Sequence, residues 1–417
     1  MTHETSGRLD HRLRRMTGRD PNEPHRAATP LELLYDLTFV VAFSQAGTQM
    51  AHLLELGHFA SAFWAFFLAV FAICWAWINY SWLASAFDTD DVFFRIATMV
   101  QMVGVLIMAL GMPPLFDSFD EGVHIDNGIL VAGYVVMRVS TLALWLRIAK
   151  QAPGYRRTAL VYATVLAISQ AGWIVMIFVN PPFALTIVLW IALAAFEVVG
   201  PVVAERMRGG GTPWHAHHIA ERYSLLVIIT LGEIILGTIL AISAVVEEQG
   251  WTLEAVLVAF GGTLLAFGLW WVYFMMPSGE VLARHRRRSF TWGYGHIVLF
   301  GALVATGAGL HVAAFVIEGV AHIDDVQAML TLTIPVAVFL AGLATLHAFL
   351  LHEVDLFHAL LFAGALVVLA LAVVAVAAGA TLGWGILITA LAPVVAIVGY
   401  ETAGHRHVEA ALARTLG

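Results

Sequence analysis

The sequence predicts an all-α polytopic integral membrane protein, a helical bundle of about 12 transmembrane helices, with two six-helix repeats as a further expectation. Three observations carry this. Of 417 residues, 60% are hydrophobic and 12% are charged, against about 25% charged in an ordinary soluble domain. Mean hydropathy is +0.84. The apolar residues fall in continuous runs long enough for a bilayer-crossing helix, which needs roughly 20 residues. They do not alternate as barrel strands do. A chain with half the usual charge cannot cover a soluble surface, which excludes a soluble enzyme and a disordered protein. The net charge of −8 leaves no general basic surface, so no nucleic-acid partner is expected. One cysteine, Cys74, excludes a disulfide framework and a cysteine-based metal cluster.

The runs, in order, are 31–53, 59–85, 92–112, 128–149, 158–179, 183–204, 218–244, 252–276, 290–317, 327–350, 357–378 and 381–400. Turn and charge signals divide them: Pro113-Pro114, Asn180-Pro181-Pro182, Gly209 to Pro213, Glu247 to Gly250 and Pro277-Ser278-Gly279. The weakest divisions are the short His/Glu/Asp segment between 350 and 357 and the stretch from Gly379 to Gly383. Residues 1–30 are polar, with Arg8, Arg12, Arg14, Arg15, Arg19 and Arg26, and are expected to be a disordered cytoplasmic tail. The run that follows is too long for a signal peptide and is expected to be retained. The predicted organisation is a first half over 31–204, a cytoplasmic linker over 205–217, a second half over 218–400 and a cytoplasmic tail over 401–417.

Orientation follows from the cations. Of 21 Lys and Arg, all but Arg95, Arg138 and Arg222 fall in tails or loops on the side of the N-terminus. The loops of the opposite side are acidic, with Asp117, Asp120, Glu121, Asp126, Glu247, Glu248, Glu318, Asp324 and Asp325. The positive-inside rule places the N-terminus, and with an even span count the C-terminus, in the cytoplasm.

Similarity recurs at an offset of about 190 residues. Glu32 opens the first span and Glu221 the seventh. Trp75-Ala76-Trp77 in the second matches Trp270-Trp271-Val272-Tyr273 in the eighth, and Gly104 in the third matches Gly301 in the ninth. These matches predict parallel halves, an arrangement found among transporters.

Two segments carry a family resemblance. Leu31-Glu32-Leu33-Leu34-Tyr35-Asp36-Leu37-Thr38-Phe39-Val40-Val41-Ala42-Phe43-Ser44-Gln45 resembles the opening signature of the LtrA family, the bacterial low-temperature-requirement A membrane proteins. The segment from His218 through Ala220-Glu221-Arg222-Tyr223-Ser224 to Gly232-Glu233 resembles its second hallmark, and Tyr294-Gly295-His296 is a further likeness. The resemblance implies a multi-pass protein of the bacterial cytoplasmic (inner) membrane. The family name records a growth requirement in the cold and implies no reaction or substrate.

Charges inside a membrane cost free energy and usually face a bundle interior or a water-filled cavity. Glu32 and Asp36 stand four residues apart and share a helix face. They could share a proton or bind a cation, or Glu32 could simply favour the positive end of the helix dipole. Thr38, Gln45, Gln49 and His52 form a polar stripe on the same helix, expected either to line a pathway or to bond to neighbouring helices. In the seventh span Glu221 and Arg222 lie near the cytoplasmic end and Glu233 lies deeper. Glu233 is expected to find its partner in Arg138 or Arg95, and is the leading functional candidate. Glu197, Arg138 and His296 complete the candidate pathway set. Arg95 is expected to pair with Asp91 at the start of the third span, where Asp88, Asp90 and Asp91 act as caps.

Two histidine clusters, His215-Ala216-His217-His218 and the set His347, His352, Glu353, Asp355 and His358, could bind zinc or sense pH. Neither has a standard zinc spacing, and solvated loop histidines are expected. No metal site and no cofactor is predicted. The only lysine, Lys150, follows Ala149, so no Walker A Gly-Lys pair exists. The expected partners are the lipid bilayer and an unknown small solute or ion. The leading functional expectation is a secondary transporter or ion pathway using buried carboxylates. The alternatives are a membrane enzyme acting on a lipid or isoprenoid substrate through Glu32, Asp36, Glu221, Arg222 and His218, and a membrane sensor without turnover.

Overall fold

The computed structural model describes residues 13–23, 26–207, 211–276, 278–353 and 355–416. Twelve long helices form the bundle: α1 (Pro30–Glu55), α2 (Phe59–Phe87), α3 (Val92–Leu110), α5 (Gly128–Gln151), α6 (Arg156–Val179), α7 (Phe183–Glu205), α8 (Ala216–Gln249), α9 (Leu253–Phe274), α11 (Ser289–Ile317), α12 (Asp325–Leu351), α13 (Leu356–Ala377) and α14 (Leu382–Gly399). Three short helices accompany them: α4 (Met112–Glu121) and α10 (Ser278–Arg284) between long helices, and α15 (His405–Leu416) after the last. No strand occurs among the described residues.

Every predicted run is a helix, with ends displaced by a few residues. Both doubtful divisions are real. At the first, His352 takes a left-handed conformation (φ 53°) between α12 and α13, and at the second Gly379 does so (φ 98°) between α13 and α14. Gly379 is suited to that turn, having no Cβ to clash. Eleven of the long helices are apolar enough to cross a membrane by length and composition. The exception is α1, whose hydropathy is lowered by Glu32, Asp36, Gln45, Gln49 and His52. Its 26 residues still rise about 39 Å, and it packs lengthwise with α2, α3, α8 and α11 inside the bundle.

Local signals set the helix starts. Thr29 and Glu32 form a reciprocal capping box at α1, followed by Pro30 at the first position. Asp91 caps α3 through the amide of Phe94 at 2.9 Å, and Asp324 with Gln327 forms a second capping box at α12. The short helix α4 lies in what the sequence marks only as a Pro-Pro break. Proline suits a first helical turn, where its missing N–H has no partner to lose.

The described part of the N-terminal tail is ordered against the bundle. Residues 13–23 and 26–29 lie against the bundle rather than free: Met16 is fully buried, its amide donates to Gln151 Oε1 at 2.9 Å, and the Arg19 amide donates to Ala86 O at 2.9 Å. Residues 1–12 lie outside the described residues, as do Arg208 and Pro277. The C-terminal segment continues from α14 through a π-turn into amphipathic α15, which buries Val408 and Ala411. These contacts gather the arginine-bearing segments at one end of the bundle. Arg147 binds Asp91 and the Arg14 carbonyl. Arg286 donates to Trp214 O at 2.8 Å, and His285 contacts Thr415 O at 2.7 Å. Both described chain ends therefore lie at this same end.

The α8–α11 crossing is one of the close backbone approaches of the core. A Cβ at Gly307 would stand 2.6 Å from the backbone of Glu233, and one at Gly237 would stand 2.5 Å from Gly307 O. Small residues let two membrane helices approach closely and gain dispersion contact.

Candidate functional site

Three buried polar groups stand out. The first joins α1 to α8 near the end that holds the tails. Arg222 reaches across from α8: its Nε donates to Asp36 Oδ2 at 3.0 Å, Nη2 donates to Asp36 Oδ1, and Nη1 lies 3.1 Å from Glu32 Oε1. Trp77 Nε1 of α2 donates to Asp36 Oδ1 at 2.7 Å. His218 Nε2 lies 3.3 Å from Glu32, and Arg26 Nη2 lies 3.6 Å from it. Glu32, His218 and Arg222 are fully inaccessible to solvent, as is Asp36. Glu32 and Asp36 do share a face, as their spacing predicts. They share an arginine: the guanidinium contacts both. Its planar fork matches the pair of carboxylates, and burial makes such pairing obligatory.

Glu197 is the centre of the second group, which ties α2, α5, α6 and α7 together. Its Oε2 accepts from Trp75 Nε1 at 2.7 Å, Tyr134 OH at 2.5 Å and Arg138 Nη2 at 2.8 Å. Its Oε1 accepts from Trp173 Nε1 at 2.9 Å and Gln170 Nε2 at 3.4 Å. One carboxylate thus receives donors from four other side chains besides its arginine. Arg138 is therefore the partner of Glu197, not of Glu233.

Glu233 is the third. It sits midway along α8, about 25 Å from either end of a 34-residue helix. It is 8% exposed. Its backbone touches Gly307 of α11, and its carboxylate faces Ser44 and Gly47 of α1. Oε1 is buried with no hydrogen-bond partner. Among the described residues no Lys, Arg or His nitrogen lies within 4.0 Å of it. This corrects the expected pairing with Arg138 or Arg95. Arg95 is held at the surface by Asp90 at 2.7 Å, and not by Asp91, which caps α3 and binds Arg147. Burial works against the Asp91 charge, but Arg147 and the Phe94 and Arg14 amides hold the carboxyl down at about 2.

The other predicted residues are placed as follows. His296 is buried in a box of Tyr223, Trp292 and Phe300 rings. Both its ring nitrogens are occupied, Nε2 by Tyr273 OH at 3.0 Å and Nδ1 by Trp292 O at 2.8 Å. Glu221 is half-exposed and stands outside the Arg222 network. Gln45 is exposed and Gln49 half-buried, because the inward face of α1 is filled by Phe39, Phe43, Ala46, Gly47 and Met50. The α1 side chain that meets Glu233 is Ser44, a neighbour of the stripe named from spacing. A missed signal was available: Ser44 and Thr48 stand one turn apart on the same helix.

The histidine segments are also separate from Glu233. His215 contacts the Glu23 carbonyl at 2.8 Å. Asp355 holds both His358, at 2.6 Å, and His407, at 3.0 Å, beside a cavity of about 760 Å³ between α12, α13 and α15. Among the described residues no group of three or more His, Cys, Asp or Glu has a geometry able to hold a metal.

The sequence model of the bacterial low temperature requirement A protein family matches residues 27–396, nearly the whole chain. An uncharacterized protein of Rhizobium meliloti (strain 1021) is 29% identical over 308 residues, covering 70% of each chain. No solved structure matches.

Proposed function

From the premise that the chain belongs to the bacterial low temperature requirement A protein family, we propose that it is a secondary transporter or ion pathway, with Glu233 as the carboxylate that takes up and releases the ion. One observation carries this: Glu233 lies at the middle of a membrane-length helix with a buried, unpartnered oxygen and no arginine beside it. An isolated buried carboxylate costs far more free energy than a paired one, and a proton or a bound cation removes that cost. The other deep acids, Asp36 and Glu197, already have arginines.

The helix contacts support a two-half arrangement. α1 packs on α2 and α3, α3 on α5, α5 on α6 and α6 on α7. In the same order α8 packs on α9 and α11, α11 on α12, α12 on α13 and α13 on α14, with an added α9–α14 contact that has no match of that size between α2 and α7. Glu233 lies where α1 of the first half meets α8 and α11 of the second, the position in which repeat-built transporters bind their ions. The arginine-rich end is assigned to the cytoplasm of a bacterial inner membrane by the positive-inside rule.

The test is charge movement across proteoliposomes holding the purified protein, under steps of pH, potassium and sodium. A current present in the wild type and lost in Glu233→Gln is expected. A Gln variant with full current would remove Glu233 from the mechanism.

A further inference from the structure

The surroundings of Glu233 differ sharply between its two sides. Toward the arginine-rich end, α8 buries Thr230, Val227, Leu226 and Tyr223 before it reaches Arg222. Tyr223 packs edge-on against Trp77 at 4.8 Å and lies 6.0 Å from Phe300. Beyond these rings stands the Arg222–Asp36–Glu32 network, which is wholly buried. That side is closed twice, once by aromatic packing and once by paired charges.

The opposite side carries a polar stripe. From the level of Glu233, α1 presents Ser44, Thr48, His52 and Glu55 at successive steps of four, four and three residues, a single stripe along the helix. It rises about 16 Å from Ser44 to Glu55. Ser44 and Thr48 are half-buried, and the His52 side chain is 47% exposed. The His52 ring stacks on Phe315 of α11 at 5.3 Å and lies 6.1 Å from the ring of His311. His52 Nδ1 is 3.1 Å from Glu55 Oε1. At the end of the stripe Glu55 joins Glu318, Glu247 and Glu248 from the ends of α11 and α8. There burial and the neighbouring carboxylates hold the Glu318 carboxyl above its ordinary range.

We propose that the stripe Ser44–Thr48–His52–Glu55, facing α8 and α11, is the access route by which small cations, the proton included, reach Glu233 from the acidic end of the bundle. The inference rests on the reading of Glu233 as an ion-exchanging carboxylate. A carboxylate-rich mouth raises the local concentration of cations and repels anions. The hydroxyls and imidazoles beyond it offer oxygen and nitrogen partners along a path that is otherwise apolar. The Arg222 network is then the barrier that separates Glu233 from the other end.

The test uses cysteine accessibility, which does not depend on transport. The native Cys74 is fully buried, so the wild type is the unlabelled control. Ser44→Cys and Thr48→Cys replace small side chains by a thiol of similar size. In proteoliposomes of defined orientation, both are expected to react with a membrane-impermeant cationic methanethiosulfonate from one side only. The rate should exceed that of an anionic methanethiosulfonate about tenfold, and Glu55→Gln with Glu318→Gln should remove that preference. Leu37→Cys, on the outward face of α1, should stay unlabelled. Absence of labelling at both positions, or equal rates for the two reagents, would overturn the route. Labelling together with undiminished currents in Glu233→Gln would sink the reading of Glu233 alone. Silence at Ser44→Cys and Thr48→Cys together with lost currents in Glu233→Gln would sink the route alone.

Discussion

Arg222 and Asp36 stand 186 residues apart in the chain and meet through two guanidinium nitrogens on two carboxylate oxygens. Between them they tie α1 to α8. The pair is sealed from solvent, so neither member can fall back on water if the other is removed.

Breaking that pair is therefore expected to destabilise strongly. Arg222→Ala and Asp36→Ala should each lose about 3–5 kcal/mol, the usual cost of leaving one buried charge alone. The combined Asp36→Leu, Arg222→Met variant should recover part of the loss, since Asp36 is then no longer a lone buried charge and Glu32 keeps Arg26 and His218. Thermal unfolding in detergent decides this. A double variant less stable than both singles would contradict the account.

The Glu197 centre predicts a graded series. Trp173→Phe removes one donor and should cost about 1 kcal/mol, the net value of one hydrogen bond. Glu197→Gln sets an amide N–H₂ against several donors and leaves Arg138 unpaired, so it should cost more than 3 kcal/mol. Equal losses in the two variants, read by the same melting assay, would show that the donors do not converge on one acceptor.

The α8–α11 crossing predicts a steric effect. Gly307→Val places branched carbon where a single Cβ already stands 2.6 Å from the Glu233 backbone. Overpacking of this kind costs about 1–3 kcal/mol when the neighbours can shift. Here the neighbour is backbone, so the variant should fall at or beyond the upper limit and give little folded protein on size-exclusion chromatography. Gly319→Ala, in open surroundings but at φ 73°, should instead remain folded with a small loss from backbone strain.

Asp88, which follows α2, predicts a pH dependence. It is 6% exposed, and burial, with Glu32 nearby, pushes its carboxyl up to about 6. A carboxyl raised in the folded state contributes stability in its neutral form. That contribution is complete below the unfolded value near 4 and disappears as pH rises through about 6. Wild-type stability should therefore fall between pH 4 and pH 7 by up to about 3 kcal/mol. Asp88→Asn retains the oxygen that accepts from the Asp90 amide and should lack this decline. Parallel melting curves of the two proteins across that range would refute the assignment.

The helices were legible because the signal is local. Twenty apolar residues between polar breaks need no knowledge of the rest of the chain. The capping box at Thr29 and Glu32 and the cap at Asp91 can likewise be read from a few consecutive residues. The polar stripe of α1 shows where such reading stops. Gln45 and Ser44 are adjacent in sequence, and periodicity alone does not say which of two neighbouring stripes faces the core. Ser44 turns to Glu233 because Gly47, three residues on, lets α1 approach α8 and α11 closely.

Composition and spacing thus established a helical membrane bundle, its helix boundaries and its one arginine-rich end. They also established an imbalance: Glu32, Asp36, Glu197 and Glu233 lie in apolar runs that supply only Arg95, Arg138 and Arg222 as cations outside the tails and loops. Which acid is left over is a matter of distance in three dimensions. A guanidinium 16 Å away along a helix pairs no better than one that is absent, whereas contact across an interface decides the pairing. Helix packing gives Arg222 to Glu32 and Asp36, gives Arg138 to Glu197, and leaves Glu233 without one.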